Sequence, residues 1–465
     1  MKWFSRKSVF LAVFFVLVYQ AMALAAVSAS SHVAGVRFGS GSARDRIVFD
    51  LDQIPEYQVS TANSGKQIIL DMASTAAPSA VPNIHSDVIQ QVSIAQNGGS
   101  LRVTIDLVKA AEYKVQTVGN PPRLFIDISR EIETETKDEP APGLKHTLYV
   151  RQDKRGMLTA HLLEVDRSRY TVRPALANGE ILGRQTVSGI SDANNAMAAI
   201  NASYFAPDGE ILGITKMDGT IVSTTYFTRS ALGIAANGVP FIGQVGYNGS
   251  VTMHGATVSI SGVNCERGAD SLVLYNRYFD ATTNTNEYGQ EYIVRDGKVV
   301  GIHQANSSIP EKGFVVSVHG TAKDAFANVK VGDKVTVVQD IGSPWTNASV
   351  VVSAGPTLVK GGQVEITDQE EQFPNDITYG RAPRTAVGIM ANGNLLLAVV
   401  DGRQDSSIGC TLTEMGELMK KFGAVDAVNY DGGGSSEMVV GGQVMNSPSD
   451  GMERPVGCAL VVVKK

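Results

Sequence analysis

The sequence predicts an α+β protein: a mostly antiparallel sheet domain with a few helices, preceded by a small all-β sandwich. Three observations support this fold class. Glycine makes up 47 of 465 residues, about 10% against a usual ~7%, and Asn-Gly and Asp-Gly pairs recur between apolar runs, as they do in hairpin turns. Short runs that alternate apolar and polar residues are typical of half-buried strands. Only two segments have a clear helical period, so strands should greatly outnumber helices.

The composition excludes several functional classes. Hydrophobic residues make up 43% and charged residues 18% of the chain, which is typical of globular rather than disordered proteins. The formal net charge is −6 and no basic run is present, so we expect no nucleic-acid partner. The three cysteines are far apart and the seven histidines lack a His-Glu-x-x-His pattern, which argues against a zinc enzyme.

Residues 1–26 have the features of a secretory signal peptide. Lys2, Arg6 and Lys7 precede the unbroken apolar run Val9–Tyr19, and Ala23-Leu24-Ala25 fits the rule for a cleavage site. An uncleaved N-terminal anchor is the alternative. We therefore expect an exported protein of the periplasm, cell wall or extracellular space, with no stable membrane span after cleavage.

A tandem repeat follows the predicted signal peptide. Arg46–Met72 and Arg102–Ile128 align without gaps at an offset of 56 residues, and each copy alternates apolar and polar positions. Two such copies can pack their apolar faces together as a sandwich. Residues 33–128 resemble the AMIN module of exported bacterial envelope proteins, which implies attachment to the cell wall. A purely structural β sandwich is the alternative.

Residues 129–146 are predicted to be a linker between two domains. Five acidic residues lie within Glu131–Glu139, and the segment Pro140-Ala141-Pro142-Gly143 follows them. Repulsion between like charges, together with proline, favours an extended chain. Residues 147–465 would then form the second, larger domain.

Two helices are predicted in this larger domain, over Ser188–Met197 and Thr411–Phe422. In the second, apolar residues recur at steps of three and four. Thr411 and Glu414 have the spacing of a capping box, and Gly423 suits the position after the helix end. Glu414 therefore has a structural role that accounts for its presence.

Two acidic residues follow apolar strands near the carboxyl end. Leu395–Val400 leads into Asp401, and Ala424–Tyr430 leads into Asp431. Adjacent strands joined by one helix would bring both strand ends to the same edge of a sheet. Because sites are commonly built in loops at strand ends, we predict that the two carboxylates belong to one site.

The residues around these carboxylates suit a phosphate group. Gly432, Gly433 and Gly434 allow the backbone to approach a ligand closely and to present N–H groups to an anion, and Ser435 and Ser436 would donate hydrogen bonds. Arginine is a planar, bidentate partner for phosphate. The arginines that flank the loops are Arg384, Arg403 and Arg454. A flexible turn and ordinary surface ion pairs are the alternatives.

The segments RTAVGIMANGNLLLAVVDGR, AVDAVNYDGGGSSEMVV and ERPVGCALVVV, with AAINASYF upstream, resemble the phosphodiester glycosidase family over residues 178–465. The resemblance implies cleavage of a sugar-1-phosphodiester at the anomeric carbon, which releases the sugar and a phosphomonoester. It implies Asp431 as nucleophile or base with Asp401 as its partner, in interchangeable roles. Asn201 would bind a sugar hydroxyl or the phosphate.

Combined with the predicted export, this resemblance makes a cell-wall or surface polysaccharide the expected partner. Two alternatives stay open: a non-catalytic glycan-binding or assembly protein, and a metal-dependent phosphodiesterase that cuts the P–O bond. No cofactor or metal is assigned, although the oxygens of Asp401, Asp431 and Asn201 would suit a divalent cation. The sequence does not predict the oligomeric state.

Overall fold

The computed structural model describes residues 30–41, 43–153, 155–224 and 227–465. The predicted signal peptide, residues 1–26, lies outside this part of the chain. None of the helices within these ranges has the length and apolar character needed to cross a membrane. The chain divides into two compact units, the first ending at Arg130 and the second covering Glu131–Lys465.

The first unit is a sandwich of two sheets, with strand orders β5-β1-β2-β9-β8 and β3-β4-β7-β6. Apolar residues from both sheets form one buried core, and every strand pair except β1–β5 is antiparallel. The predicted all-β sandwich is confirmed. Its strands are β1 Ser31–Ser40, β2 Arg44–Leu51, β3 Tyr57–Ala62, β4 Gln67–Ala73, β5 Thr75–Ala76, β6 Ile89–Asn97, β7 Ser100–Leu107, β8 Tyr113–Gly119 and β9 Pro122–Ser129.

The two copies of the sequence repeat exchange strands within this sandwich. Strand β2 of the first copy pairs with β9 of the second, and β4 of the first pairs with β7 of the second. Equivalent ion pairs fasten both junctions: Arg46 Nε lies 2.6 Å from Asp127 Oδ1, and Arg102 Nε lies 2.7 Å from Asp71 Oδ1. Each sheet therefore requires both copies.

The second unit contains 26 strands and four helices among the described residues. The strands are β10 Ile132–Ala141, β11 Leu144–Asp153, β12 Gly156–Val165, β13 Tyr170–Leu176, β14 Ala198–Asn201, β15 Thr215–Met217, β16 Thr220–Ser223, β17 Arg229–Ala235, β18 Pro240–Val245, β19 Asn248–Met253, β20 Ala256–Ser259, β21 Gly262–Val263, β22 Leu272–Tyr275, β23 Gln290–Arg295, β24 Lys298–His303, β25 Phe314–Val318, β26 Val335–Asp340, β27 Ala348–Ser353, β28 Thr357–Lys360, β29 Gln363–Val364, β30 Arg384–Met390, β31 Leu395–Val400, β32 Ala424–Tyr430, β33 Met438–Val440, β34 Gln443–Val444 and β35 Cys458–Lys464. The helices are α1 Val187–Ala193, α2 Thr321–Ala325, α3 Asn375–Tyr379 and α4 Leu412–Lys421.

Two large sheets form the centre of this unit. The eight-stranded antiparallel sheet has the order β10-β11-β12-β31-β30-β32-β28-β29, and a five-stranded sheet has the order β13-β35-β14-β33-β34. Their facing sides share one core. Helix α4 covers the other side of the eight-stranded sheet, and α1 covers that of the five-stranded sheet. The α+β fold class is confirmed.

Three smaller sheets are built around a second core. Their strand orders are β16-β15-β27-β17-β18, β20-β19-β26 and β21-β22-β25-β23-β24. Most predicted hairpin turns lie between paired strands here, as Asp218-Gly219 does between β15 and β16. Asn248-Gly249 instead begins strand β19, and the turn that follows is His254-Gly255.

The structure differs from the predicted linker over residues 129–146. Ile132–Ala141 is strand β10, which pairs with β11 from Ile132↔Gln152 to Ala141↔Leu144. The chain is extended, as the charges suggest, but it is hydrogen-bonded into a sheet. Strand β10 is an edge strand, where acidic side chains can face solvent and proline near the end is tolerated.

Helix α4 begins and ends close to the predicted positions. The backbone N–H of Glu414 donates to Thr411 Oγ1 at 3.2 Å, and that of Thr411 donates to Glu414 Oε2 at 3.0 Å. Gly423 has a φ of +93° just beyond the helix. Arg381 adds an ion pair to Glu414 at 2.8 Å. The predicted helix over Ser188–Met197 is shorter in the structure, because α1 ends at Ala193 and Asn195 has a positive φ.

Replacing Thr411 with Ala should destabilise the second unit by about 1 kcal/mol, the usual cost of losing a side-chain N-cap. Urea unfolding followed by the fluorescence of buried Trp345, which lies in the same unit, measures this change. Thr411→Ser keeps the hydroxyl and should unfold like the wild type. An unchanged midpoint in Thr411→Ala would show that the cap does not stabilise α4.

Candidate active site

Strand β30 brings three of the predicted site residues to one edge of the eight-stranded sheet. Strands β31 and β32 both pair antiparallel with β30 and therefore run parallel to each other. Asp401 follows β31, Asp431 follows β32, and Arg384 begins β30. The two strand ends share an edge as predicted, but they are not adjacent, because β30 lies between them.

The glycine-rich loop after β32 is closely approached by two arginines. A Cβ atom on Gly433, whose φ is +62°, would lie 3.3 Å from Arg403 Nη2. A Cβ on Gly434 would overlap the guanidinium of Arg454. Glycine therefore gives Arg454 the space it occupies beside Gly434, and at Gly433 it suits both the positive φ and the nearby Arg403 guanidinium.

The two arginines differ in their other contacts. Arg454 donates to Asp450, with Nε 2.8 Å from Oδ2. The exposed guanidinium of Arg403 has no hydrogen-bond or ion-pair partner among the residues that the structure describes. Arg403 also has a φ of +60°, a conformation that a residue with a Cβ adopts rarely. It is thus a free cation held beside the loop.

The loop backbone is less open than the predicted anion-binding nest. The N–H of Gly432 donates to Asp431 Oδ1 at 2.9 Å, and that of Gly433 donates to Pro383 O at 2.9 Å. The N–H groups of Ser435 and Ser436 donate to carbonyls within the loop. Since these four donors are already used, arginine side chains rather than backbone N–H groups supply most of the donors available for an anion.

Both loop serines are buried. Each is 2% exposed. Ser436 Oγ has no partner in the described part of the chain, and Asn429 Oδ1, at the end of β32, is likewise buried without one. Buried polar atoms are normally hydrogen-bonded. These two unpaired atoms are therefore unusual, and both lie beside the glycine-rich loop.

Asp431 is partly exposed at the start of this loop. Burial of the carboxyl raises its pKa to about 6. Hydrogen bonds from Ser435 and the Gly432 N–H, and the charge of Arg454, partly oppose this shift. The Coulomb interaction with Asp431 also contributes to a raised pKa of Tyr204, although burial of the phenol is the larger cause. Asp431 can therefore exchange a proton near neutral pH.

Asn201 connects the glycine-rich loop to two strands, and its contact with a sugar hydroxyl or the phosphate stays a prediction. It is 1% exposed. Its Nδ2 donates to Asp431 O at 2.6 Å, and its Oδ1 accepts hydrogen bonds from the Glu437 N–H and from Thr385 Oγ1. The side chain thus joins the ends of β14, β30 and β32.

Arg384 makes hydrogen bonds within the protein, and its phosphate contact stays a prediction. It is 4% exposed, and its Nη2 donates to the carbonyls of Ile377 and Gly380 at 2.8 and 2.6 Å. Its Nε donates to Cys410 O at 3.3 Å. The guanidinium therefore holds the end of α3 and the segment before α4.

Asp401 accepts hydrogen bonds from a segment that also contacts the glycine-rich loop. Its Oδ1 accepts hydrogen bonds from Asn446 Nδ2 at 3.2 Å and from the Ser447 N–H at 2.9 Å. Asn446 Nδ2 also donates to Ser436 O. Burial raises the pKa of Asp401, which is 4% exposed, and these hydrogen bonds oppose the shift. These contacts hold the segment around Asn446 and Ser447, and the role of Asp401 as catalytic partner of Asp431 stays a prediction.

Sequence reasoning missed a pair of carboxyl groups beside the loop, Glu437 and Glu453. Burial raises the pKa of Glu437, which is 1% exposed, to about 9, and the hydrogen bond and charge of Glu453 add to the shift. Glu453 Oε2 accepts a hydrogen bond from Ser188 Oγ at 2.6 Å. Glu437 follows the loop serines directly, but nothing in the sequence indicates that Glu453 meets it.

No group of three or more His, Cys, Asp or Glu side chains within the described ranges is arranged to hold a metal ion.

Two family models match separate parts of the chain. Residues 276–463 match the phosphodiester glycosidase family, and residues 35–128 match the AMIN domain. The chain thus carries a phosphodiester glycosidase domain, preceded by an AMIN domain, as the sequence motifs predict.

Curated relatives match short stretches of the chain. The bovine N-acetylglucosamine-1-phosphodiester alpha-N-acetylglucosaminidase is 34% identical over 102 residues, which are 20% of this chain and 19% of that protein. An uncharacterized protein, YomE, from the SPβ prophage of Bacillus subtilis is 41% identical over 80 residues, 17% of this chain and 12% of YomE. The chain spans 12–30% of the length of the curated relatives it matches.

Solved structures resemble most of the chain. The crystal structure of a hypothetical protein from Synechocystis has a TM-score of 0.65 and 22% sequence identity, covering 94% of this chain and 81% of its own. This likeness shows a shared fold.

The Glu437–Glu453 pair predicts a specific dependence of stability on pH. Because the pKa of Glu437 is about 9 rather than 4.5, the folded chain keeps a proton that the unfolded chain has released between those values. The free energy of unfolding should therefore fall as pH rises through that window. In Glu437→Gln this contribution is absent, so the variant should gain thermal stability relative to the wild type from pH 5 to pH 9.

Melting temperatures measured across this range test the prediction. Glu365→Gln changes an exposed carboxyl of the same unit and should follow the wild-type curve. Parallel curves for Glu437→Gln and the wild type would show that Glu437 is not protonated in the folded protein.

Proposed function

We propose that this protein is an exported hydrolase that cleaves a sugar-1-phosphodiester at the anomeric carbon, in a polysaccharide of the cell envelope. The observation that carries the proposal is the loop after β32. There a carboxyl group with a pKa of about 6 lies beside two guanidinium groups that rest on glycine backbone, within a phosphodiester glycosidase domain.

Arg403 and Arg454 supply the charge that the leaving group requires. Cleavage of the C1–O bond leaves both bonding electrons on the phosphate oxygen, which departs as a phosphomonoester anion. Guanidinium groups placed where this charge develops lower the barrier. A phosphomonoester is an adequate leaving group without a strong acid, so a second free carboxyl group is not essential for this step.

Asp431 supports the other half of the reaction. As a base it takes a proton from water while the water oxygen forms a bond to C1, and the sugar is released with an inverted anomeric centre. A pKa near 6 leaves most of the carboxylate ionised at neutral pH while keeping it a stronger base than an ordinary Asp. As a nucleophile it would instead form a glycosyl-enzyme that water then hydrolyses, which retains the configuration.

Asn201, Arg384 and Asp401 serve as positioning residues in this proposal. Asn201 bonds Asp431 O, Arg384 bonds Cys410 O, and Asp401 accepts from Asn446, which also donates to Ser436 O. A preorganised site requires such support because small displacements of the reacting groups slow catalysis strongly.

The sugar and the location are proposed from the relatives and the domain order. The bovine, mouse and human relatives are named for an N-acetylglucosamine-1-phosphodiester substrate, so we propose GlcNAc-1-phosphodiesters as the substrate class. The AMIN domain and the predicted signal peptide support an exported protein associated with the envelope.

Hydrolysis of a GlcNAc-1-phosphodiester in ¹⁸O water tests the reaction. Label in the released sugar supports cleavage at the anomeric carbon, whereas label in the phosphate indicates a phosphodiesterase that cuts the P–O bond. Binding of the substrate with no product formed indicates a glycan-binding protein instead.

Asp431→Asn should lower kcat/KM by about 10²- to 10⁴-fold, the usual contribution of a general base. In the wild type, kcat/KM should fall as pH drops below about 6, where the carboxyl becomes protonated. The residual activity of Asp431→Asn should lack this acidic limb. Initial rates from pH 4 to pH 8 measure both effects, and an acidic limb that persists in the variant would place the titrating group elsewhere.

Arg403→Gln should lower kcat/KM by about 10- to 100-fold, because a hydrogen bond to a charged group contributes about 1.5–3 kcal/mol. Arg295→Gln, at the exposed end of β23 in the same unit, is the matched control and should be unaffected. Equal rates for Arg403→Gln and the control would remove Arg403 from the site.

A further inference from the structure

A further arginine, Arg229, lies close to the candidate active site, and no motif in the sequence points to it. It is partly exposed and begins strand β17. Its Nη1 donates to Glu371 O. In the part of the chain that the structure describes, no other hydrogen bond and no ion pair involves its guanidinium. Arg229 therefore offers a positive charge and N–H donors that its described neighbours do not use.

Two aromatic rings hold this guanidinium. Arg229 Cζ lies 4.0 Å from the centroid of the Phe373 ring and 5.3 Å from that of Phe227, both within the roughly 6 Å range of a cation–π contact. Phe373 is buried, whereas Phe227 is 47% exposed. We call Phe227, Arg229 and Phe373 the aromatic wall. It consists of a fixed inner ring, a cation and an outer ring that a ligand can reach.

A buried carboxylate fixes the base of the aromatic wall. Glu371, which is 1% exposed, lies two residues before Phe373. Its Oε2 accepts a hydrogen bond from the Ser230 N–H at 2.8 Å, and its Oε1 accepts one from Ser230 Oγ at 2.5 Å. Since Ser230 directly follows Arg229, these bonds hold the start of β17 against the segment that carries Phe373.

Tyr204 connects the aromatic wall to the reacting carboxyl group. Its ring centroid lies 5.9 Å from that of Phe373, and its hydroxyl accepts a hydrogen bond from Asn429 Nδ2 at 3.1 Å, two residues before Asp431. Burial is the main cause of the raised pKa of Tyr204; the charge of Asp431 adds to the shift and that of Arg229 opposes it. Both charges therefore act on the same phenol.

The aromatic wall and the two arginines of the glycine-rich loop meet different parts of the chain around Asp431. Tyr204 contacts a residue before Asp431. Arg403 and Arg454 rest against glycines that follow it. In a sugar-1-phosphodiester the ring extends from C1 away from the phosphate. With the phosphate at the two loop arginines and C1 at Asp431, the sugar ring would extend toward the aromatic wall.

The chemistry of the aromatic wall suits a sugar ring. An exposed aromatic face packs against the apolar C–H face of a pyranose, and guanidinium N–H groups donate to hydroxyl, ring or amide carbonyl oxygens. Ligand sites commonly combine aromatic surface with a small number of polar groups that fix orientation. Because the cation is held between two rings, its donors need little further ordering when a ligand binds.

We propose that Arg229 and Phe227 bind the sugar of the substrate, while Arg403 and Arg454 bind its phosphate. This assignment rests on the proposed function, since it divides a sugar-1-phosphate between two parts of the site. Arg229 takes no part in bond cleavage. It determines which sugar the site accepts, and Phe373 and Glu371 hold it in place.

Isothermal titration of the full chain with GlcNAc-1-phosphate and, separately, with inorganic phosphate tests this division. Arg229→Gln should bind GlcNAc-1-phosphate at least tenfold more weakly, the effect of losing a hydrogen bond from a charged donor, and should bind phosphate like the wild type. Arg403→Gln should weaken the binding of both ligands by the same factor. Arg277→Gln removes an arginine that also stacks on a ring, at 4.7 Å from Tyr278, and should bind both ligands like the wild type.

Phe227→Ala provides a second variant that leaves the buried part of the wall intact. Because this ring is exposed, the variant should melt at the wild-type temperature. It should bind GlcNAc-1-phosphate at least threefold more weakly and bind phosphate unchanged. The wild-type melting temperature and phosphate affinity show that a variant is folded.

Three results would overturn the proposal: no heat of binding between the wild type and GlcNAc-1-phosphate, unchanged affinity for it in Arg229→Gln, or an equal loss of both ligands in that variant. The last result would make Arg229 a phosphate-binding or structural residue. Titration requires no turnover, so its outcome is separate from that of the hydrolase. A chain that shows the predicted binding pattern but releases no sugar from a phosphodiester would contradict the proposed function alone.

Discussion

The buried amide of Asn201 is the interaction on which the candidate site depends. Its Nδ2 donates to the carbonyl of Asp431, and its Oδ1 accepts from the Glu437 N–H and from Thr385 Oγ1. One side chain therefore links the five-stranded sheet to two strands of the eight-stranded sheet and spans the glycine-rich loop from both ends. Removing it would leave buried donors and an acceptor unsatisfied, which costs more than the bonds themselves contribute.

The loop that this amide holds combines charges of both signs at short range. Two guanidinium groups lie against the glycines, while Asp431 and the Glu437–Glu453 pair surround the same segment. Two carboxyl groups in contact cannot readily ionise together in a poorly solvated place, so the pair keeps a proton. The pair therefore carries less negative charge beside the two arginines than two ionised carboxylates would.

The sequence could predict the parts of this arrangement that depend on local pattern. Strand alternation, the capping box of α4 and the position of Asp401 and Asp431 at strand ends are all local, and the structure contains them. The partners of Asn201, Arg384 and Asp401 are distant in the chain, so their structural roles could not be read from spacing. The acidic segment before Leu144 is a strand and not the predicted linker for a related reason. Charge and proline exclude a central strand, but they are compatible with an edge strand whose partner, β11, supplies the hydrogen bonds.

The exchange of strands in the first unit has a consequence for how the chain acquires its structure. Strand β2 cannot complete its sheet until β9 is present, and residues paired across that junction, such as Arg46 and Asp127, are far apart in the chain. Loop-closure entropy makes such long-range pairing slow. During synthesis the first sheet cannot be completed until the chain up to Ser129 has emerged, because β9 supplies the partner of β2.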